Sequence, residues 1–396
     1  EQLELTPPQD AGPPHRVGLL LPLSGPRAEL GRDLLQAAQL ALFDVSDEEF
    51  ALVVRDTKGT PDGAAQAAES AIGAGANLLL GPVFSSSVEA VAPVAEGGQV
   101  PVVAFSNDRA VARPGVYVTG LLPGEQIDRI VGYAAEQGHT DFAVLAPNDS
   151  YGDLVTGAMQ DAAQRHGVYL VTAQSFPPEA QDISEPVKQL AEYQRRQGEL
   201  KRRRQELRNS SGSEAQRRLN ELQNLDALGQ APFDAILLPM GGSRLRALAP
   251  TLPYYDIDPD EVQFLGTAQW NDPALGSEPT LQGGWFPAPP PESWQRFAQR
   301  YADTYSAEPP QIAGLAYDAT ALAALLARQA VRNDTPPAQV YTTEALTQRS
   351  GFAGVNGLFR LNPDGLIERR YAVLEMQRDG LKVLAPAPSS FAGPTN

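Results

Sequence analysis

The stretch RVGLLLPLSGPRAELGRDLLQAAQLALFD, Arg16–Asp44, decides how the chain reads. Val17–Leu21 carries no polar side chain, which suits a parallel strand covered on both faces. Pro22-Leu23-Ser24-Gly25-Pro26 reads as a turn, with Ser24 just ahead of a helix start, where backbone N–H groups have no intrahelical partner. Leu30, Leu34, Ala37, Ala38 and Ala41 recur at three- and four-residue steps, so one face of that helix is apolar. Strand, turn and helix make half of a βα unit. In open α/β sheets ligands sit beyond the carboxyl ends of such strands.

At 396 residues the chain is too long for one ordinary core, and two domains are expected. Apolar residues make up 42%, enough for globular packing, and no eighteen-residue apolar run spans a membrane. A net charge of −17 argues against a broad nucleic-acid-binding surface. Cysteine is absent, which removes disulfides, thiolate catalysis and cysteine metal sites. Glu1–Pro14 is Pro-rich and polar with no apolar leader core, and is expected to be a flexible tether at the start of a processed chain.

The βα rhythm continues. Phe50–Arg55 reads as a strand, Gly63–Ala74 as a helix and Asn77–Leu80 as a third strand, followed by Ser85-Ser86-Ser87 and helix Val88–Ala95. Pro101–Ala104 is a fourth strand, ending at Phe105-Ser106-Asn107-Asp108. Right-handed crossovers place the turns of Ser24, Ser85 and Ser106 along one rim. Hydroxyls and free N–H groups at a helix start hold an anion; a serine there is also simply an N-cap.

The rhythm then restarts with helix Glu125–Gln137, strand Phe142–Ala146 and the turn Asn148–Gly152. Strands Val168–Ala173, Ala235–Pro239 and Val262–Leu265 follow, the last two running into Met240-Gly241-Gly242-Ser243 and Gly266–Asn271. This predicts a second doubly wound lobe. Trp285 and Phe286 line a cleft or plug the space between lobes, and Gly314–Arg328 is a long apolar helix. The expected domains are a tether at 1–14, lobe 1 at 15–120 and lobe 2 at 121–285. Residues 286–396 return between the lobes, and such crossings make a hinge that closes two lobes on a ligand.

VGLLLPLSGPRAELG, LLLGPVFSSSVEAVAPVAE, VPVVAFSND, NDSYGDLVTGAMQDAAQRHGV and QIAGLAYDATALAALL occur in the order and spacing of one family. From His15 to about Leu384 the sequence resembles the leucine/isoleucine/valine-binding family, with the type 1 periplasmic binding fold. That resemblance implies an α/β Venus flytrap: two doubly wound parallel-sheet lobes on a multi-strand hinge, with a ligand in the cleft. It carries the family's contacts onto Ser85 or Ser86, Phe105 and Ser106, and in the second lobe onto Tyr151, Met240, Gln269 and Trp270. Amino-acid-binding members place a carboxylate in the second lobe to meet the ligand's ammonium group. Here the corresponding turn, Thr267–Asn271, has none, so Asp149, Asp272 or Asp318 would have to serve.

FLGTAQWNDPAL, LQGGWFPAPPP and LAYDATALAALL are similar to the penicillin-binding-protein activator branch, which stimulates peptidoglycan synthases. The resemblance implies a periplasmic location. In that branch an acylated cysteine precedes the mature chain, so lipid anchoring would need a residue upstream of Glu1.

The binding fold does not need the segment 185–230. Gln189–Leu207 holds Arg195-Arg196 and Lys201–Arg204, Asn209–Ser213 breaks it, and Glu214–Leu228 follows as a second helix. This reads as an inserted helical hairpin, either a solvated pair laced by i,i+4 ion pairs or a basic docking arm for an acidic partner.

An enzyme is disfavoured. His15, His139 and His166 are not spaced as a metal pair, each is expected at the surface or a helix end, and no phosphate-loop or nucleophile-elbow motif occurs. No cofactor, metal or catalytic residue is expected. Two functions remain. One is a regulator of peptidoglycan synthesis acting on a synthase, favoured by the missing ammonium partner and the extra hairpin. The other is the receptor of an ABC importer, delivering an amino acid, a cell-wall fragment or another small polar ligand to a permease.

Overall fold

β1 (His15–Leu21) is an interior strand of the first sheet, five of its seven residues consecutively buried from Val17. A single 3-10 turn leads into α1 (Ala28–Val45), whose Leu34, Ala37, Ala38 and Ala41 are buried as the periodicity requires. Next come β2 (Phe50–Asp56), α2 (Pro61–Gly73), β3 (Leu78–Leu80), α3 (Ser85–Gly97), β4 (Val102–Ala104) and β5 (Val116–Val118). The five strands pair in the order β2-β1-β3-β4-β5, all parallel. Their carboxyl ends therefore lie along one side. This computed structural model describes residues 15–45, 50–210 and 212–391. The expected tether, 1–14, lies outside them.

The second run holds α4 (Pro123–Glu136), β6 (Asp141–Pro147), α5 (Ser150–His166), β7 (Tyr169–Phe176) and α6 (Ser184–Leu190). It continues with α7 (Tyr193–Asn209), α8 (Ser213–Leu222), β8 (Ala235–Leu237), α9 (Gly242–Leu248), α10 (Thr251–Tyr254), β9 (Gln263–Leu265) and β10 (Trp285–Ala288). The last stretch holds α11 (Pro291–Tyr305), α12 (Ala313–Arg332), α13 (Thr343–Leu346), β11 (Phe352–Gly354), β12 (Gly357–Leu361) and β13 (Ile367–Arg369). It ends in β14 (Ala372–Gln377) and β15 (Gly380–Ala385). The second sheet runs β15-β14-β10-β9-β8-β6-β7, parallel from β10 to β7 and antiparallel where β14 and β15 join.

Contacts divide the chain into two units: residues 1–122, 289–370 and 387–396, and residues 123–288 and 371–386. The core of the first unit is built from its sheet, α1, α2, α3 and the nearly all-Ala/Leu face of α12, which packs against α1. A small antiparallel sheet, β11-β12-β13, completes it. The second unit packs α4 and α5 on its own sheet.

The insertion is helical but differs from the expected hairpin at both ends. The backbone turns left-handed at Glu192, so 189–207 is split between α6 and α7 rather than continuous. The second helix stops at Leu222, not Leu228, because the segment beyond it supplies carbonyls to arginines. Arg204 donates to the carbonyls of Leu222, Gln223 and Leu225. Arg196, 3% exposed, donates to those of Ala191, Leu228 and Gly229 and faces Asp256 at 3.4 Å. Arg195 pairs with Glu192 and Glu199, Arg203 with Glu206 and Arg218 with Glu214. Much of the basic run thus holds the insertion together. The other histidines sit where expected, but His15 is 2% exposed at the start of β1.

Candidate functional site

Three loops leave the carboxyl ends of β3, β4 and β5 in the first unit and meet the start of α12 around a cavity of about 550 Å³. Ser85, Ser106, Asn107 and Gln311 supply its polar groups, and Phe105, Leu315 and their neighbours its apolar wall. No charged side chain lines it.

Each polar group is positioned by its element. Ser85 opens α3, where the N–H groups of the first turn have no carbonyl ahead of them. Those of Ser87 and Val88 turn to the Phe84 carbonyl, at 2.9 Å each, while those of Ser85 and Ser86 have no acceptor among the described residues. Ser106 is 3% exposed, and its hydroxyl accepts from the Asp108 N–H at 3.1 Å. Its carbonyl accepts from the Gly120 N–H at 3.0 Å, an approach a side chain would block: a Cβ on Gly120 would lie 2.4 Å from the Ser106 oxygen. The Phe105 N–H donates to the Pro82 carbonyl at 2.9 Å, fixing the ring against the wall. Gln311 differs from the rest. Its Nε2 is sealed from solvent and has no acceptor among the described residues. A buried donor left unpaired costs about 1–3 kcal/mol.

Not every residue expected on this rim reaches it. Ser24 follows β1 but is exposed and absent from the lining; its N–H donates to Asp56 Oδ1 at 3.3 Å. Ser86 is exposed on the first turn of α3 and also off the lining. Nothing local in the sequence marks Gln311, which only the folded chain brings to this rim.

In the second unit, the first turn of α5 carries Tyr151, and the segments after β8 and β9 carry Met240 and Gln269. Burial raises the Tyr151 phenol above its ordinary pKa, and the neighbouring side chains of Thr267 and Gln269 partly oppose it. Gln269 is exposed and Met240 is 6% exposed. Trp270, expected as an apolar wall, is fully buried: its Nε1 donates to the Leu238 carbonyl at 3.1 Å and its indole leans on Phe286. It ties the β8 and β9 loops together and offers no surface of its own. Phe286 is likewise inside this unit, and Trp285 stacks edge-on with Tyr133 and His139, so neither lines a cleft within it.

The three carboxylates expected to meet an ammonium group all have structural partners. Asp149 caps α5 through the Gly152 N–H while remaining exposed, and Asp272 caps a 3-10 turn through the Ala274 N–H. Asp318 is 4% exposed and faces Arg369. Among the described residues no group of three His, Asp or Glu is placed to hold a metal ion, and no helix is long and apolar enough to cross a membrane.

A family model described as periplasmic binding protein matches residues 14–381. Among solved structures the chain resembles a candidate branched-chain amino acid ABC transporter from Rhodospirillum rubrum. That pair is 16% identical, with a TM-score of 0.74, 93% of this chain covered and 99% of the other. It also resembles an ABC transporter solute-binding protein from R. palustris in complex with benzoate, at 16% identity and a TM-score of 0.59, covering 95% and 98%. At that identity the likeness is one of fold: both units are the parallel-sheet α/β lobes of type 1 periplasmic binding proteins. The uncharacterized protein RP748 of Rickettsia prowazekii (strain Madrid E) is 24% identical over 145 residues. That match spans 37% of this chain and only 38% of the curated relative.

Proposed function

Because this chain belongs to the periplasmic binding protein family, a family of binding proteins rather than enzymes, we propose that it is the solute-binding receptor of an ABC importer. We propose further that its ligand is a small organic carboxylate with an apolar body. The observation that carries this is the cavity at the carboxyl ends of β3–β5, which Ser85, Ser106, Asn107 and Gln311 furnish with polar groups at the α3 N-terminus and which no charged side chain lines. Such a lining suits an anionic oxygen pair, through helix N–H groups, hydroxyl and amide. It suits an isolated ammonium poorly. The ligands named for the two structures above, a branched-chain amino acid and benzoate, share a carboxylate and differ in the ammonium group.

An extracytoplasmic location and a permease partner go with this reading. The regulator of peptidoglycan synthesis, preferred on the sequence, draws no support from these relatives, and import takes its place. The feature that favours regulation is the insertion, whose Lys201, Arg202, Arg208 and Arg217 have no ion pair among the described residues.

Titration calorimetry with leucine, 4-methylpentanoate and benzoate tests the ligand class. The two carboxylates without an ammonium group are expected to bind at least as well as leucine, and Gln311→Ala to weaken them about tenfold. Absence of binding by all three, or an unaltered affinity in Gln311→Ala, overturns the proposal.

A further inference from the structure

β3, β4 and β5 are three residues each, and the same short strands have a second cavity at their other ends. It measures about 600 Å³ and lies wholly within the first unit. Asn77 and Pro101 precede β3 and β4, the end of α3 contributes Glu96 and Gln99, the turn before β5 contributes Arg113, and Tyr341 closes the floor. In parallel α/β sheets ligands are taken at the carboxyl ends, so a chemically furnished cavity at the amino ends requires its own explanation.

Its chemistry is that of a site. Arg113 and Glu96 line it with opposite charge, and neither has an ion-pair partner among the described residues, each other included. The cation is presented by a rigid turn. Arg113 and Val116 exchange backbone hydrogen bonds at 3.2 and 2.8 Å across Pro114 and Gly115, and Gly115 has the positive φ, 85°, that a type II turn demands. Gln99 adopts φ 54°, where glycine would be less strained, and so places an amide at the lip. The floor is apolar: Ala92, Ala95 and Tyr341 are nearly fully buried, and the Tyr341 hydroxyl is occupied with the Ala323 carbonyl at 3.2 Å.

We propose that this cavity is a second ligand site, separate from the cavity of Ser85 and Gln311, and that it takes a small zwitterion such as an α-amino acid. The carboxylate meets Arg113, the ammonium meets Glu96, and the side chain lies on the Tyr341 floor. Both charges that the first cavity does not offer are offered here. Because Arg113 and Glu96 are solvent-accessible, each ion pair is weak and the site is a low-affinity one, in the millimolar range. The inference stands independently of the import reading.

Methyl NMR separates the two cavities. Ala92, Ala95 and Ala338 line only this one, and Leu30, Ile312 and Leu315 only the other. Titration with L-leucine is expected to shift the three alanine methyls saturably, and Arg113→Gln or Glu96→Gln to weaken that response about fivefold. Isopentylamine and 4-methylpentanoate, each lacking one charge, are expected to bind less well than leucine. Both substitutions are at exposed positions, and their melting temperatures report whether the fold is kept. The proposal is overturned if the alanine methyls do not move, if their response survives both substitutions, or if 4-methylpentanoate equals leucine at these methyls.

Discussion

Replacing Asp318 by Asn tests how the first unit is held together. The carboxylate accepts from the Val355 N–H at 2.6 Å, from the Asn356 N–H and Nδ2 at 3.2 Å each, and faces Arg369 at 3.6 Å. Burial pushes its pKa up, and Arg369 with the three N–H donors opposes this. Arg369, 1% exposed in its side chain, donates to the Asn356 and Thr119 carbonyls at 3.1 and 3.4 Å and lies over the Phe359 ring. An asparagine keeps one acceptor for the backbone but removes the carboxylate that the Arg369 guanidinium faces. Removing one member of a buried ion pair costs about 3–5 kcal/mol. Since the asparagine oxygen retains part of the hydrogen bonding, we expect a loss near 3 kcal/mol, a large share of the roughly 5–15 kcal/mol that stabilises a domain. Arg369→Met should be similarly costly. The double variant Asp318→Leu/Arg369→Met should lose far less than the two single changes together, because the pair is then removed as a whole. Urea denaturation followed by hydrogen exchange in peptides of α12 and β11–β13 measures this in the unit concerned. A loss below about 1 kcal/mol in Asp318→Asn, or additive single losses, would refute the reasoning.

Trp270→Ala should destabilise the second unit by about 3–5 kcal/mol, since the whole indole is buried and its hydrogen bond to Leu238 is lost; a melt shifted by only a degree or two would contradict this. Gly120→Ala should spoil the first cavity and lower stability together, because a Cβ there would lie 2.4 Å from the Ser106 carbonyl oxygen and 2.6 Å from the Asn107 Cα; it is read as lost carboxylate affinity with a lowered melting temperature. Burial raises the Tyr301 pKa to about 12, so its folded state holds the phenolic proton after the unfolded chain has released it. Stability from this group is therefore complete below pH 10 and lost as pH rises towards 12. Tyr301→Phe should flatten the fall in melting temperature over that window. Arg204→Ala removes the donor to the Leu222, Gln223 and Leu225 carbonyls, and should speed hydrogen exchange in α8 without altering exchange in β6–β10.

The sequence by itself determined the two α/β units, because strand and helix periodicity record which side of each element is buried, a property set within a few residues. It also pointed to the turns of Ser24, Ser85 and Ser106, since a turn after a parallel strand lies at that strand's carboxyl end, and the family resemblance added Phe105; of these only Ser24 is off the cavity. Only the tertiary structure brought Gln311 to the same cavity, from the turn ahead of α12, more than 200 residues downstream of Ser106. It alone turned Trp270 inward, enclosed Asp318 with Arg369, and gave Arg196 and Arg204 to carbonyls rather than to solvent. The reason is the range of the forces. Burial preference is written in local spacing, whereas the partner of a polar side chain is whichever group the folded chain carries to within about 3 Å of it.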